Sequence, residues 1–437
     1  MTVLGNAVAA VKAALPMPRG GQHGPAFWNW TQASNLGITG NGLPGERDYR
    51  QLVGDGSNNS IVVASIGWIA TQFAEPRPVL TRDLPTGVVP EVIRRHPAVD
   101  LLRRPTWDPT TRRAAYGGGT LRSAMVTSYW LDANAYALKV RDERDLRVKQ
   151  LWYCPHWMIE PMRDKDGTTV YEYRPFGFGS TPIILAASEV WHVRMGIDPS
   201  NPLKGWNRLK AILREVYTDE QAARFTASML KNRGMPGVIL APSKETTKGI
   251  PEGERLLMKA KYESEFGGDK VGGLMVFGQP TSLTEFGFSP QQMELGNLRD
   301  IPEERITAIT MVPAAVVGFG TGLQGAKVGA TLREYREQAW ENNLIPTCRV
   351  FAEEYTGQVL PDFLADADLL THETAFDLSD VGALQDLTLK KAEVAARLVS
   401  GGIAQRNEGR ARVGLPPVEG GDTFTPQPGV AGDAPKP

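Results

Sequence analysis

The chain has very little cysteine, with Cys154 and Cys348 as its two thiols in 437 residues. Two cysteines so far apart exclude a disulfide scaffold and a cysteine-rich zinc site, and they fit a reducing cytoplasm. The sequence also lacks an apolar run long enough to cross a bilayer. Residues 1–17 are broken by glycine, lysine and proline, and the longest apolar stretch, residues 60–74, predicts a buried helix. We expect a soluble intracellular protein with no membrane partner.

The chain lacks an excess of charge of either sign, because 48 lysines and arginines face 49 aspartates and glutamates, for a formal net charge of -1. A protein that grips nucleic acid by neutralising many phosphates is normally clearly basic. Any contact with DNA must therefore be local or weak. The length predicts two to four domains or subdomains.

Histidine is scarce and scattered, and no pattern typical of a metal site or of a serine nucleophile elbow is present. Cys154 stands two residues before His156, but neighbouring positions at the end of a strand need not face each other, so we predict a packing role for the thiol. We expect no enzymatic activity, no metal and no cofactor. The histidines are His23, His96, His156, His192 and His372.

Residues 133–192 alternate between apolar and polar positions in a way that is typical of strands. A D-K-D-G turn at residues 164–167 predicts a hairpin between two of them. Helical patterns at residues 61–73, 97–103 and 119–131 flank this region, so we predict an α+β fold. The predicted strands are residues 135–140, 148–153, 159–163, 170–173, 183–185 and 190–193.

The most informative segment is a glycine-rich loop between two long helices. The first helix is predicted over residues 290–310 and must end before Pro313, while the second is predicted from Ala330 and should bend at Pro346. Four glycines make the loop costly to order, and mobile loops often carry function. The candidate residues in this loop are Gly320, Thr321, Gly322, Leu323, Gln324, Gly325 and Lys327.

This loop has a nucleotide-binding interpretation, because glycine loops that open a helix often hold phosphates. Gly320 and Gly325 have the spacing of a P-loop, but Ala326 precedes Lys327, and Val328 stands where a hydroxyl must reach magnesium. The lead-in is helical rather than a strand. A nucleotide-dependent enzyme therefore stays only as an alternative.

The remaining segments complete the predicted organisation. A long amphipathic helix over residues 207–232 leads into a compact insertion at 238–288, and residues 376–399 have a helical pattern. Residues 1–45 are rich in glycine and proline and predict a flexible arm, and the proline-rich tail after residue 421 predicts the same.

Six short motifs follow one another along the chain. They are the H-P…L-L…P segment from His96 to Pro105, Asn134-Ala135-Tyr136, Val190 to Arg194 with Pro202 and Gly205, Asn232 to Val238, Val312-Pro313 with Gly318, and Gly401 to Asp422 with its Asn407-Glu408 and Gly420-Gly421 pairs. Each motif is weak alone, but in this order they resemble the portal proteins of tailed, double-stranded DNA bacteriophages of the long-tailed kind, over most of residues 45–422. One position departs from the family pattern, because Ala133 replaces a usual glycine.

The resemblance implies a set of portal parts for this chain. It implies a strand-rich wing with long stem helices, a small α/β clip, a tunnel loop and a helical crown. The implied boundaries are an arm at 1–45, wing at 46–205, stem helix at 206–233, clip at 234–288, stem helix at 289–311, tunnel loop at 312–329, second wing part at 330–379, crown at 380–422 and tail at 423–437.

The resemblance also implies partners and a place of action. Such a protein is a structural ring subunit, usually with twelve copies, at one vertex of the virion capsid, assembled in the host cytoplasm. The implied partners are double-stranded DNA in the channel, the terminase large subunit, head-completion or adaptor proteins, and the major capsid and scaffolding proteins. The loop residues from Gly320 to Lys327 would face the DNA. Another head-tail adaptor of the same machinery is a further alternative.

Overall fold

A computed structural model describes most of the chain, and its described residues are 56–83, 90–142, 147–175, 181–231, 238–242, 252–253, 256–257, 281–285, 295–319, 329–415 and 417–424. They divide into two compact units. The first contains Asp55–Lys210 and Thr307–Pro437, and the second contains Ala211–Ile306.

The first unit contains three small antiparallel sheets. The strands are β1 (Arg77–Arg82), β2 (Glu91–Ile93), β3 (Asn134–Arg141), β4 (Val148–Cys154), β5 (Ile159–Arg163), β6 (Thr169–Tyr173), β7 (Ile183–Ala186), β8 (Val190–Arg194) and β11 (His372–Asp377). One sheet has the order β11-β1-β2, the next β4-β3-β8 and the last β5-β6-β7.

Helices pack on two of these sheets, and aromatic side chains from the helices and from β8 form the core. The Phe73 and Phe351 rings lie 4.7 Å apart edge to face, and Trp191 and Tyr355 lie 5.1 Å apart. Such edge-to-face pairs stabilise a core beyond the apolar area they bury. The helices are α1 (Ser60–Phe73), α2 (Pro97–Arg103), α3 (Gly118–Asp132), α6 (Ala314–Val317), α7 (Gly329–Ala339), α8 (Ile345–Gln358), α9 (Asp366–Leu369), α10 (Gln385–Ser400) and α11 (Arg406–Arg412).

The predicted strands and hairpin are confirmed to within two residues at their ends. β5 and β6 pair from Ile159 opposite Tyr173 to Arg163 opposite Thr169. Gly167 closes the turn with a φ of 78°, a left-handed conformation that favours glycine. Helix α1 also begins as predicted, because the Asn59 side chain accepts hydrogen bonds from the Ile61 and Val62 N–H groups.

The predicted helix over residues 376–399 is wrong at its start. Residues His372–Asp377 form β11, which pairs along its whole length with β1, and α10 begins only at Gln385. Strand β1 itself was not predicted, since Pro78 sits inside it. Both strands depend on a partner almost 300 positions away, which a local pattern does not reveal.

The second unit contains α4 (Leu213–Lys231), the strand pair β9 (Val238–Pro242) and β10 (Thr281–Glu285), and most of α5 (Leu295–Thr310). Val216 of α4 and Ile306 of α5 are fully buried. An ion pair joins the two helices, with Arg305 Nη1 at 2.6 Å from Glu215 Oε1. The second unit is therefore organised around two helices, one near each end of its sequence.

Helix α5 differs in detail from the sequence prediction. The predicted start at Ser289-Pro290 lies outside the described residues. Pro302 stands inside the helix and is buried, although a proline there removes one backbone hydrogen bond. Ile301 is 50 % exposed. The buried face instead follows Pro302, Ile306 and Thr310, which are spaced by one helical turn.

Candidate functional site

The predicted loop residues Gly320, Thr321, Gly322, Leu323, Gln324, Gly325 and Lys327 all lie outside the described residues. The structure does describe the two ends of this segment, up to Phe319 and from Gly329 onwards. The candidate site is therefore defined by the helices that flank this segment.

The supporting helix α5 ends in a Schellman motif centred on Met311. The Met311 N–H donates to the Ala308 carbonyl at 3.2 Å, and the Val312 N–H donates to the Thr307 carbonyl at 3.2 Å. Met311 takes the left-handed conformation, with a φ of 55°, at a position where glycine is usual. Pro313 follows in an extended conformation, so the helix cannot continue.

A short helix, α6, forms the last described part before the loop. Gly318 ends it with a φ of 92°, and the Gly318 and Phe319 N–H groups both donate to the Ala314 carbonyl, at 3.1 and 3.0 Å. Ala315 is buried, and α6 packs against both α7 and α1. The two helices that flank residues 320–328 are therefore in contact with each other.

The helix that returns from the loop changes its winding near Pro346. Residues Trp340–Leu344 form a π turn between α7 and α8, and the Ile345 N–H donates five residues back to the Trp340 carbonyl. In an unbroken α-helix the Pro346 ring would clash with the Asn342 carbonyl. The wider π turn accommodates the proline. The predicted irregularity at Pro346 is thus present, as a π turn that begins six residues earlier.

The π turn places Asn343 against the end of α5. The buried Asn343 side chain donates from Nδ2 to the Thr310 carbonyl at 2.6 Å, and the Thr347 hydroxyl donates to Asn343 Oδ1 at 3.3 Å. The Thr310 carbonyl belongs to the last turn of α5, where carbonyls lack a partner within the helix. Asn343 supplies that partner. The two helices on either side of the loop are thereby joined by one side chain.

A cleft of about 220 Å³ lies beside this junction. The π turn and α8 contribute one wall, with Asn342, Asn343 and Pro346 among its residues, and Met311 and Arg208 also line it. The cleft therefore gives the π turn free space on one side.

Two of the motifs that carry the portal resemblance meet in a second buried junction. Asn134 Oδ1 accepts hydrogen bonds from His192 Nε2 at 3.1 Å and from the Gly205 N–H at 2.8 Å. The Tyr171 hydroxyl donates to His192 Nδ1 at 3.1 Å, and the Tyr136 ring stacks on the imidazole. Burial lowers the pKa of His192 to about 3, so this imidazole is neutral.

Residues of the first motif cap α2 and connect it to α8. His96 Nδ1 accepts from the Ala98 N–H at 3.2 Å and caps α2, with Pro97 at the first helical position. Burial is the main cause that lowers the pKa of His96. The Tyr355 hydroxyl donates to the Ala98 carbonyl at 2.7 Å and ties α8 to this cap.

The last motif closes a loop around Asn407. Its Nδ2 donates to the Val418 carbonyl at 3.0 Å and to Asp422 Oδ1 at 2.8 Å, and its N–H donates to the Gly421 carbonyl at 2.9 Å. A Cβ on Gly421 would lie 2.2 Å from Asn407 Oδ1, so this contact requires glycine. The Glu408 carboxylate accepts from the Gln405 N–H and completes a capping box.

The cysteine and histidine of the Cys154 segment take separate positions. Cys154 is buried in the sheet core, and burial raises the pKa of its thiol. His156 Nδ1 lies 3.1 Å from Ser128 Oγ. The packing role predicted for Cys154 is confirmed by its burial. In the described part of the chain, no cluster of histidine, cysteine and carboxylate side chains has the arrangement of a metal site.

None of the helices among the described residues combines the length and the apolarity that crossing a membrane requires.

These features define a class of protein. It is an α+β protein whose motif residues form buried hydrogen-bonded joints between its helices, strands and loops. The family model for phage portal proteins matches residues 60–414, and the chain belongs to this family. The family is structural rather than enzymatic. The portal resemblance seen in the sequence and the predicted α+β portal-type fold are both confirmed.

Individual relatives are distant. An uncharacterized protein of Rickettsia bellii is 24 % identical over 340 residues, which cover 76 % of this chain and 82 % of that protein. A chain from the neck of a native gene transfer agent particle, computed with C12 symmetry, has a TM-score of 0.57 at 19 % identity and covers 86 % of this chain and 96 % of its own. An HK97 family phage portal protein from Corynebacterium diphtheriae has a TM-score of 0.51 at 14 % identity, over 76 % of this chain and 96 % of its own. At these identities the likeness establishes the fold.

Proposed function

We propose that this chain is the ring subunit of a portal vertex, through which double-stranded DNA enters and leaves a capsid. The family match over residues 60–414 supports a portal role. The C12 symmetry of the similar neck structure favours a ring of twelve copies. The protein would lie at the capsid vertex of the virion after assembly in the host cytoplasm.

The parts of the subunit follow the boundaries drawn from the resemblance. The wing would comprise residues 46–205 and 330–379, the stem helices 206–233 and 289–311, and the crown 380–422. The clip at 234–288 would dock the terminase large subunit and later the head-completion or adaptor proteins, with the major capsid and scaffolding proteins outside the ring.

The described residues on either side of the loop support its assignment as the DNA-facing element. α6 and α7 pack against each other, and the Gly318 and Phe319 N–H groups close the first end on the Ala314 carbonyl, so these supports are made without residues 320–328. That segment carries one cation, Lys327. Each neutralised phosphate adds salt-dependent affinity, so few cations suit a channel in which DNA must slide.

The oligomeric state tests the first part of the proposal. Electron microscopy and native mass measurement of the full-length protein should show a closed ring with a central hole. A stable monomer at the concentrations used for assembly would contradict the ring.

A loop variant tests the second part. Deleting residues 320–325 should leave ring assembly intact and reduce DNA packaging or retention, because the described ends are held independently of the loop. A second variant that replaces the same six residues by a glycine-serine segment of equal length separates loop length from loop sequence. Loss of ring assembly in both variants would make the loop structural.

The nucleotide alternative has a direct test in Lys327→Ala. ATP turnover by the purified ring that disappears in Lys327→Ala would replace the conduit proposal with an enzymatic one. The matched Lys327→Arg variant keeps the charge. In the conduit proposal, Lys327→Ala weakens the salt dependence of DNA retention and Lys327→Arg preserves it.

A further inference from the structure

Helix α1 carries no charged side chain in any of its 14 residues, from Ser60 to Phe73. Each of the other described helices longer than ten residues has at least two charged residues. A surface helix normally turns charged residues towards water, whereas a helix that is apolar all round is buried. The composition of α1 is therefore that of a helix covered on both sides.

One side of α1 is covered within the subunit. Ile66, Ile69 and Phe73 are buried, and the helix packs on α3, on α6 and on the π turn. The opposite side is open, because Val63 is 50 % exposed and a Cβ added to Gly67 would meet no atom within 4 Å. The described residues thus leave this side of α1 uncovered.

The open side of α1 offers an apolar surface with few free hydrogen-bonding groups. Ser60, Val63, Gly67 and Thr71 are exposed and follow one another at helical spacing, and we name them the outer face of α1. The Thr71 hydroxyl donates to the Gly67 carbonyl at 2.9 Å, within the helix. Gly67 has no side chain, so a partner can approach the backbone closely there. The outer face therefore fits an uncharged partner with large apolar side chains.

The chain itself has a segment of this kind shortly before α1. Residues 20–45 contain no lysine, arginine, aspartate or glutamate, and they carry Phe27, Trp28 and Trp30. The segment lies outside the described residues. Segments that stay solvated are typically poor in aromatic residues and rich in charge. The composition of residues 20–45 is therefore suited to contact with an apolar surface.

The connection between this segment and α1 is long enough for the two to meet. Residues 46–59 span at most about 46 Å when fully extended, and α1 is about 21 Å long. A tethered segment is present at a local concentration that a separate partner does not reach. The family match begins at residue 60, so residues 20–45 lie outside the matched scaffold.

From these observations we infer that residues 20–45 dock on the outer face of α1 of the same chain, with Trp28 and Trp30 against Val63 and Gly67. The contact removes apolar surface of both partners from water, which is the main source of its stability. It is independent of the proposed function, since it involves neither the loop nor DNA.

Cysteine labelling of the full-length protein with a maleimide tests this contact. Gly67→Cys places a thiol on the outer face without a clash. Gly357→Cys is the matched control, because Gly357 is an exposed glycine of α8 whose added Cβ would also meet no atom within 4 Å. Cys154 and Cys348 are buried, so the new thiol dominates the labelling.

Removal of residues 1–45 is expected to speed the labelling of Gly67→Cys at least tenfold and to leave Gly357→Cys unchanged. Equal rates at Gly67→Cys with and without residues 1–45 would overturn the inference. Equally fast labelling would mean that the outer face is open, and equally slow labelling would mean that a second copy covers it. If the shortened chain does not fold, Trp28→Ser together with Trp30→Ser in the full chain should give the same acceleration, and an unchanged rate overturns the inference.

Cross-linking identifies the chain that supplies the segment. Asn29→Cys combined with Gly67→Cys keeps both tryptophans, and a short bismaleimide should join the two thiols within one chain, which keeps its monomer mass on a denaturing gel. A mixture of the two single variants should give no cross-linked dimer. Cross-linked dimers in that mixture would assign the segment to a neighbouring copy and overturn docking within the same chain.

Discussion

The buried imidazole of His192 predicts a loss of stability in mild acid. Its pKa is lowered to about 3 in the folded protein from an ordinary value of 6.5, mainly because burial disfavours the charged form and secondarily because Arg194 is nearby. The folded state therefore keeps the imidazole neutral, whereas the unfolded chain takes up a proton below pH 6.5. The stability that His192 contributes is present above pH 6.5 and is lost as the pH falls towards 3.

The size of this loss follows from the pH range in which His192 is neutral in the folded protein and protonated in the unfolded chain. Each pH unit below 6.5 costs about 1.4 kcal/mol of unfolding free energy, so His192 alone should remove about 2 kcal/mol between pH 7.5 and pH 5. The loss should be absent from His192→Gln, which is less stable at neutral pH because the Tyr171 hydroxyl loses its acceptor. The carboxylates contribute equally to the acid sensitivity of the two proteins, so their contribution cancels in the comparison.

Denaturant unfolding at pH 7.5 and pH 5, with equal protein concentrations, measures the loss of unfolding free energy in the unmodified protein and in His192→Gln. The control is His156→Gln, since His156 is partly exposed and bonded to Ser128, and it should keep the acid sensitivity of the unmodified protein. Equal loss of stability in the unmodified protein and in His192→Gln would refute the account of a neutral, buried imidazole.

Three further predictions concern single positions. Met311→Gly should stabilise the fold by about 1 kcal/mol, because glycine takes the left-handed conformation of the Schellman motif without strain; an unchanged or lower melting temperature would contradict this. Gly205→Ala should cost about 2 kcal/mol or more, because the new Cβ would lie 2.1 Å from the Ala133 carbonyl, whereas Gly67→Ala, which meets no atom within 4 Å, should slightly stabilise α1; thermal unfolding compares the two. Cys154 and Cys348 should resist alkylation until the protein unfolds, because both thiols are buried and burial raises their pKa; rapid labelling of the native ring at neutral pH would contradict it.

The elements that the sequence predicts correctly are those with a local cause. Asn59 caps α1 with its own side chain, and the turn at Asp164 to Gly167 sets the register of β5 and β6. In each case the residues that decide the structure are within a few positions of it. A local pattern then carries the whole signal.

The elements that the sequence misses depend on distant residues. β1 contains Pro78 and β11 contains Ala375, neither of which favours a strand, and the two strands form because they pair with each other. Asn343 gives no signal either, since an asparagine on an amphipathic helix is normally a surface residue. Its burial depends on the Thr310 carbonyl across the loop. Pro346 did mark the right place, but a proline alone does not distinguish a bend from a π turn.

The residues that carry the portal resemblance are structural joints, and this bears on how far the resemblance reaches. Asn134, His192 and Gly205 share one buried junction, and Asn407 closes another with Gly421. The Asn134 side chain accepts from the Gly205 N–H and from His192, and the Asn407 side chain donates to the Val418 carbonyl, so the hydrogen bonds of these residues lie inside the subunit. A match at such positions identifies a scaffold, because function belongs to the sites that the scaffold carries. The proposed assignment of the loop to DNA therefore depends on the residues that flank it, and above all on Asn343, which joins the end of α5 to α8.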